Sequence, residues 1–424
     1  MKVLHCCLAA FYIDDFGYQE NILPRIHKQQ GHEVQIVAST ESYVDRVQRA
    51  YVAPGSYASS DGIRVTRLPY VRWLPAVVGR KLRLYVGLEQ VLQRFEPDVI
   101  FLHDCQFLDI GIVADYAIRH GTQVYVDCHT DFVNSGRSWL SRHLLHGVIY
   151  RACAVRIASV ARKFFPTLPL RSTFLQQVYG IAPEQIELLP FGVDDTAIDS
   201  ECRESVRAEF RREIGLTAEQ LVFVTGGKID RRKQIHTLLA SFIDRSDAGE
   251  LGDAVLLVFG APDRDMKESI DAARSHPRVR YAGWIPAEKV HRYLWAADVA
   301  LFPGTHSVLW EEAVGLGLPC VFRRWDGIEH VDLGGNCLML DKVDTETLGA
   351  VLRKLCHDAA LRERMREVAS TRGTAMFSYS RIARIALGLP ALGPSTGTLE
   401  HTLSRPAVAG VSGRLDSAPN NTHN

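Results

Sequence analysis

Net charge, long apolar runs and paired cysteines are all missing from this 424-residue chain. Its 49 Lys and Arg balance 49 Asp and Glu. No global field therefore steers it to nucleic acid or to an anionic surface, although local charge can. No stretch reaches the ~18 consecutive apolar residues of a membrane-spanning helix. The nine cysteines are odd in number and scattered, without a CxxC pair or a Cys/His metal spacing. Cys6, Cys128 and Cys320 fall in strand-like apolar runs, which reads as buried free thiols in a reducing cytoplasm. No small-residue cleavage pattern follows Lys2, so Val3 to Ala10 reads as a first buried strand and not as a leader. No repeat of 20–50 residues is visible.

What is present is alternation. A chain of this length exceeds one ordinary core, and 46% hydrophobic with 23% charged residues suits a globular protein. Short apolar runs at Val3–Ala9, Glu33–Ala38, Ile63–Leu68, Val99–Leu102, Gln123–Asp127, Val155–Ser159 and Ile186–Leu189 alternate with amphipathic segments such as Glu20–Gln30, Leu82–Phe95 and Asp109–Arg119. After Pro190–Phe191–Gly192 the pattern restarts, with strands expected at Leu221–Thr225, Ala254–Phe259, Val279–Ala282, Val299–Phe302, Pro319–Phe322 and Cys337–Leu340. Such alternation predicts βαβ units. The expectation is two doubly wound α/β, Rossmann-like domains, 1–192 and 193–375, facing across a cleft. A helix at 376–390 is expected to pack back on the first, followed by a disordered Pro-, Ser- and Thr-rich tail, 391–424.

The segment VFVTGGKIDRRK, 222–233, carries the most chemistry. A buried run stops at two glycines, and cations and a helix start follow. Glycine admits close backbone approach, a helix N-terminus offers N–H groups, and Lys228 and Lys233 supply charge for an anion. It is not a P-loop, because Val222 and Ile229 stand where that motif needs Gly and Ser or Thr. A solvated basic turn would read the same way on this segment alone.

Several segments together resemble the retaining GT-B glycosyltransferases of family 4, also called group 1. They are the opening MKVLHCCLAAFYIDDFGYQENILPRIHKQQGHEVQIVAS, PDVIFLHD (97–104), VYVDCHTD (124–131), LLPFGVD (188–194), GGKIDRRKQ, VRYAGWIPAEKVHRYLWAADVALFPG (279–304) and WEEAVGLGLPCV (310–321). Each is weak alone, and their order is the signal.

The resemblance implies roles. Gly17 would let donor and acceptor approach the backbone, with Phe16 replacing a second glycine common there. His129 would face the reacting sugar. Lys228, Lys233 and Gly227 would hold the donor diphosphate, where fixed cations stabilise the departing charge. Gly283–Trp284–Ile285 would hold the base, Trp284 by stacking or by packing the loop. Glu312 would accept the ribose hydroxyls as the second acid of an E-x7-E element. The first acid's position holds Gly304, and the loop is short. His306, Ser307 or the backbone of Ser307, Val308 and Leu309 would stand in. Glu311 reads as a solvated helix residue. Asp263–Arg264–Asp265 resembles a metal-binding D-x-D but reads better as a solvated loop, so no metal and no cofactor is expected.

The function so implied is transfer of a hexose from a UDP- or GDP-sugar to a glycan or lipid-linked acceptor, in polysaccharide synthesis. A nucleotide-sugar epimerase of the same fold, or a degenerate subunit that binds without turnover, remains the alternative. The stretch 64–95 carries Arg64, Arg67, Arg72, Arg80, Lys81, Arg83 and Arg94 against Glu89, with Trp73 and Tyr85 interleaved. It reads either as a peripheral contact with the inner face of a membrane or as a solvated packing face. No nucleic-acid partner is expected.

Overall fold

The computed structural model describes residues 1–44, 48–132, 141–198 and 203–391. The tail from 392 onward, and with it the expectation of disorder there, lies outside the described residues.

Among the described residues, nine strands form in the first part: β1 (Lys2–Cys7), β2 (Glu33–Ser39), β3 (Glu41–Val44), β4 (Gln48–Tyr51), β5 (Gly55–Ala58), β6 (Arg64–Leu68), β7 (Val99–His103), β8 (Gln123–Cys128) and β9 (Ala161–Pro166). Their main sheet has the order β5-β6-β2-β1-β7-β8-β9, and β3 and β4 pair separately. Only β5 runs antiparallel in the main sheet. The second sheet, β12-β11-β10-β13-β14-β15, is built from β10 (Val222–Gly226), β11 (Val255–Phe259), β12 (Val279–Tyr281), β13 (Val299–Phe302), β14 (Cys320–Arg323) and β15 (Cys337–Leu340). It is parallel throughout. Helices cover both faces of each sheet, so the central strands are apolar on both sides.

Val155–Ser159, expected as a strand, is helical. The helix Arg151–Ala158 follows directly on a helical segment, Ser141–Tyr150, and Val155 on its outer face is exposed. A short apolar run does not reveal its period, and the strand comes one element later, at β9. Ile186 makes only a single bridge to Phe164. The segment Leu82–Phe95 is not one helix but two, Ala76–Leu82 and Leu88–Phe95, with Arg83 and Gly87 at positive φ between them.

The chain passes from the first sheet to the second at Leu189–Val193 and returns alongside. Val193 N donates to Phe377 O, and Tyr379 N donates to Val193 O. A Cβ at Gly192 would overlap the Phe377 carbonyl, so only glycine lets these two crossings lie side by side. The returning helix, Tyr379–Ala386, packs Tyr379, Ile382, Ala383 and Ala386 against β1, β7 and the helix Gln19–Gln29.

Candidate active site

The carboxyl ends of both sheets supply the groups singled out in the sequence. On the first lobe, β8 ends at Cys128 and puts His129 at its tip. The His129 Nε2 lies 3.2 Å from Asp127 Oδ2, and its side chain is 22% exposed, enough to be reached from the cleft. Burial disfavours its charge, but the Asp127 carboxylate outweighs burial and raises His129 to about 9. Asp127 itself is fully buried. Its Oδ1 accepts the Asp104 N–H at 3.0 Å, and its Oδ2 lies 2.9 Å from His103 Nδ1. Asp104 holds a φ of 66°, a left-handed turn that aims this N–H at the carboxylate.

Behind His103 the polar line continues into the core. His103 Nε2 lies 3.0 Å from His5 Nδ1, His5 Nε2 lies 2.9 Å from His27 Nδ1, and His27 Nε2 lies 2.7 Å from the Ala383 carbonyl. His5, His27 and His103 are all fully buried. None was singled out from sequence, yet a signal existed. His5, His103 and Asp127 alternate in step with core residues Val3 and Cys7, Val99 and Phe101, and Tyr125. Polar side chains in step with a buried face need partners.

Gly17 is exposed in the loop after β1, and a Cβ there would lie 3.7 Å from Ala287 Cβ of the second lobe. The lobes therefore adjoin at this glycine, and Arg25 ion-pairs with Asp194 just after the crossing.

On the second lobe, β10 delivers Gly226 and Gly227, the latter at φ 98° with Leu309 Cδ1 3.0 Å from where a Cβ would be. Asp230 accepts from Arg232 N and Lys233 N. These N–H groups, expected to be open to an anion, are therefore already engaged. The two lysines differ. Lys233 Nζ donates to the carbonyls of Thr305 and His306, both at 2.8 Å, and burial lowers it to about 8. Lys228 is 60% exposed and sits 3.3 Å from Asp263. Asp263 of the D-x-D thus pairs with a lysine.

Lys233, Gly226, Gly304, Thr305 and Ser307 line a small hollow at the end of β10, with Thr225 and Trp310. Thr225 Oγ1 and Trp310 Nε1 are buried there without a hydrogen-bond partner among the described residues. Gly304 has a structural reason. A Cβ at this position would overlap the Lys233 backbone, so the shortened loop excludes the acid that the resembling enzymes carry.

Glu311 is not solvated; it is fully buried. His306 Nε2 lies 2.8 and 3.0 Å from its two oxygens, and His330 Nε2 lies 2.8 Å from Oε1. Burial would raise this carboxyl, but the two imidazoles hold it down at about 2. The three side chains offer ligand atoms within 4.8 Å of one another, the one such group of metal-binding type among the described residues. Two imidazole N–H donors on one carboxylate account for the contacts without an ion. Glu312, next in sequence and so about 100° further round the helix Leu309–Gly315, is half-buried. Burial first, and then the charge of Asp194, raise it to about 8. Trp284 is 63% exposed and Ile285 packs on the core, while Val308 is exposed and Leu309 buried.

The basic stretch is only partly a surface. Arg67 is buried and donates to the carbonyls of Tyr12 and Ser39 and to Asp14, and the Tyr85 hydroxyl is buried against Leu8 O. Arg83 donates to Gln106 O. Arg64 and Arg94 are exposed, and so is a run of Arg72, Trp73, Val77, Arg80 and Lys81, in which the Arg80 guanidinium lies 3.9 Å over the Tyr51 ring.

Known proteins resemble this chain in family and in fold. Residues 25–192 match the glycosyl transferase 4-like domain, and residues 219–358 match the glycosyl transferases group 1 domain. A 2-deoxystreptamine glucosyltransferase of Streptomyces kanamyceticus is 27% identical over 68% of this chain and 75% of its own length. A lipopolysaccharide core biosynthesis glycosyltransferase of Rhizobium meliloti is 28% identical over 42% of this chain and 52% of its own. The structure of Anabaena HepE in complex with UDP superposes with a TM-score of 0.63 at 14% identity, covering 92% of this chain and 99% of that one. With both of its lobes matched in order and a fold of two facing Rossmann-like sheets, the chain belongs to the GT-B glycosyltransferases of the group 1, family 4 type.

Proposed function

We propose that this glycosyltransferase moves a hexose from a UDP- or GDP-sugar to a glycan or lipid-linked acceptor with retention of configuration. The observation that carries the reading is the hollow after β10. A half-buried ammonium, that of Lys233, and two polar groups without a partner among the described residues, Thr225 Oγ1 and Trp310 Nε1, surround a glycine turn there. Buried polar groups without partners are costly, and a bound diphosphate or sugar would satisfy them.

In this reading Lys233, with Lys228 at the rim, stabilises charge on the departing nucleoside diphosphate. Glu312, raised to about 8, holds a proton at neutral pH and can donate to a ribose oxygen as well as accept. His129, charged at neutral pH, donates from the first lobe to the sugar or to the leaving phosphate. The leaving phosphate oxygen takes the acceptor proton on the same face of the sugar, and positioning supplies much of the rate. UDP-sugars come first among donors because the similar Anabaena protein was solved with UDP. A lipid-linked acceptor draws support from the lipopolysaccharide relative. Among the described residues no helix is long and apolar enough to cross a membrane, and we place the enzyme in the cytoplasm, at the membrane's inner face.

Incubation with UDP-, GDP- and ADP-sugars, with and without acceptor extract, tests this. Nucleotide release coupled to a labelled acceptor with the donor's anomeric configuration is expected. A sugar isomer without transfer would mean an epimerase. Binding without change would mean the non-catalytic subunit that Gly304, in place of the first acid, keeps as an alternative.

Activity is expected to survive EDTA, because in this reading Lys233 and Lys228 supply the charge that a metal supplies elsewhere. Loss with rescue by Mn²⁺ or Mg²⁺ would implicate Asp263 and Asp265, and rescue by Zn²⁺ would implicate His306, Glu311 and His330.

A further inference from the structure

The buried line from Asp127 to Ala383 has a proton count that does not close with neutral rings. Four contacts join the Asp127 carboxylate, His103, His5, His27 and the Ala383 carbonyl in sequence. Both ends are acceptors only: a carbonyl at one, and at the other the Asp127 carboxyl, which burial alone would raise but which His129 beside it holds below the usual carboxylate range, so that it is ionised. Each contact needs one proton between its atoms, so four are required. A neutral imidazole carries one N–H and one lone pair, so three neutral rings supply only three. One contact would then set two lone pairs against each other in a fully buried site, the arrangement that burial penalises most. A single added proton satisfies all four contacts.

We propose that His103, His5 and His27 form one singly protonated imidazole chain, its charge resting on His103, that sets the charge balance of Asp127 and so the proton held by His129. The tautomers follow. His103 donates from Nδ1 to Asp127 and from Nε2 to His5 Nδ1. His5 donates from Nε2 to His27 Nδ1, and His27 donates from Nε2 to Ala383 O. Burial drives His5 well down and His27 to about 3, so neither of these rings is where the charge rests. His103 alone of the three touches a carboxylate.

The other titratable groups around the assembly are few. The Cys7 thiol on β1 is pushed up by burial and stays neutral. His32 approaches His27 with ring centroids 6.2 Å apart. Asp104 beside Asp127 is raised to about 6 by burial. Glu20 and Arg171 act on His129 with opposite sign.

In this arrangement Asp127 sits between two imidazoles on one oxygen. His103, His5 and His27 are positioning residues that act through it, and the far end of the chain is the helix that closes the protein back onto its first lobe. That His129 faces a sugar rests on the function proposed above; the proton count does not.

The test uses the full chain labelled with ¹⁵N-histidine, without ligand, at neutral pH. We expect His103 to show two protonated ring nitrogens, and His5 and His27 to show protonated Nε2 and bare Nδ1. Three neutral rings would overturn the proposal, and a doubly protonated His5 or His27 would remove the coupling to Asp127. His27→Phe removes the last ring and its demand. Two neutral rings then satisfy two contacts, so His103 should become neutral, with its proton on Nδ1. Asp127 then loses one compensating charge, and the titration midpoint of His129 should rise by about half a pH unit or more. A doubly protonated His103 in that variant, or an unmoved His129 midpoint, overturns the coupling. If His27→Phe does not fold, the wild-type spectrum decides the count alone. Because no nucleotide is used, failure here is separate from failure to find a donor.

Discussion

Each lobe buries one carboxylate between two imidazoles: Asp127 between His103 and His129, and Glu311 between His306 and His330. The likeness ends there. Around Glu311 the count closes locally, since each ring needs only the one N–H at Nε2 to meet the carboxylate. His330 Nδ1 is left buried without a partner among the described residues. Around Asp127 one ring, His129, meets the cleft and the other leads on through His5 and His27. The second cluster fixes a loop: His306 is tied to Glu311 by its ring and to Lys233 by its carbonyl. The first controls charge. A buried carboxylate can thus serve shape in one lobe and proton placement in the other, and which it does depends on whether its hydrogen bonds close locally.

The largest effect should come from breaking the shape-fixing side. Lys233→Ala removes both a cation from the hollow and two bonds that hold Thr305 and His306. Loss of a charge-assisted contact to a leaving group raises the barrier by ~2–4 kcal/mol. Nucleotide release should therefore fall by up to about three orders of magnitude. Lys228→Ala removes an exposed, already paired charge, and its loss should stay near ~1 kcal/mol. Equal losses in the two variants would mean that burial does not distinguish the lysines. Wild-type turnover by both would remove the phosphate assignment.

Next comes the charge-setting side. Asp127→Asn keeps the size but presents an amide to two ring N–H groups. His129 loses the carboxylate that raises it, so it should titrate lower and lose its charge at neutral pH. Turnover should drop ~100-fold, the scale of losing a positioned acid or base, while donor KM moves little. Glu311→Gln should do the reverse, raising donor KM as the loop loosens. If both amides act mainly on KM, the contrast between the lobes fails.

The sheets were legible because fully buried parallel strands write themselves as short apolar runs between glycine and polar turns, as at Val222–Thr225 and Val255–Phe259. The misread strand at 155–159 had the same appearance, since a five-residue run cannot show whether its period is 2 or 3.6. His129, Lys228, Lys233 and Glu312 were visible because each stands in a motif or at a strand end. Glu311 was not. Beside Glu312 at the start of a helix it looked solvated, and only the fold brings His330 under it, 19 residues later. Arg67 was likewise counted as surface charge, though its guanidinium closes five hydrogen bonds inside the first lobe. Partners distant in sequence leave little trace in composition. Gly304 was visible as a missing acid, but its reason, contact with the Lys233 backbone, belongs to the folded loop.

A smaller effect tests Glu312 through stability. Its carboxyl is raised from 4.5 to about 8 in the folded chain. Between these values the unfolded chain gives up the proton and the folded chain keeps it. The stability associated with the protonated form is thus complete below 4.5 and is lost as pH rises through 8. Glu312→Gln removes this dependence, so its Tm relative to wild type should improve steadily from about pH 5 to about pH 8. A constant difference across that range would mean that Glu312 titrates normally. A saturating nucleotide should narrow the gap if ribose is its partner.

The smallest expected effect on chemistry concerns the outer face of the first lobe, far from both carboxylates in role. Trp73 is 74% and Val77 70% exposed beside Arg72, Arg80 and Lys81 on and before the helix Ala76–Leu82. Arg67, Tyr85 and Arg83 are occupied elsewhere, and of the exposed basic residues it is Arg72, Arg80 and Lys81 that stand beside exposed apolar side chains, the combination that suits an anionic lipid surface. Each basic residue near such a surface contributes ~1 kcal/mol, and an exposed indole suits the headgroup level. We expect the full chain to co-sediment with vesicles containing anionic lipid at low salt. Release should follow as salt rises, because the Debye length shrinks from ~10 Å at 0.1 M to ~3 Å at 1 M. Replacing Arg72, Arg80 and Lys81 with glutamine should abolish most of the binding, and Trp73→Ala should weaken it without changing its salt dependence. Hydrolysis of the donor in solution should be unaltered in all of these, since none of the four contacts the clusters in either lobe. Failure of wild-type protein to sediment at low salt would make the patch an ordinary solvated face and turn the search for an acceptor toward soluble glycans. Loss of donor hydrolysis in the glutamine variant would instead show that this face supports the site itself.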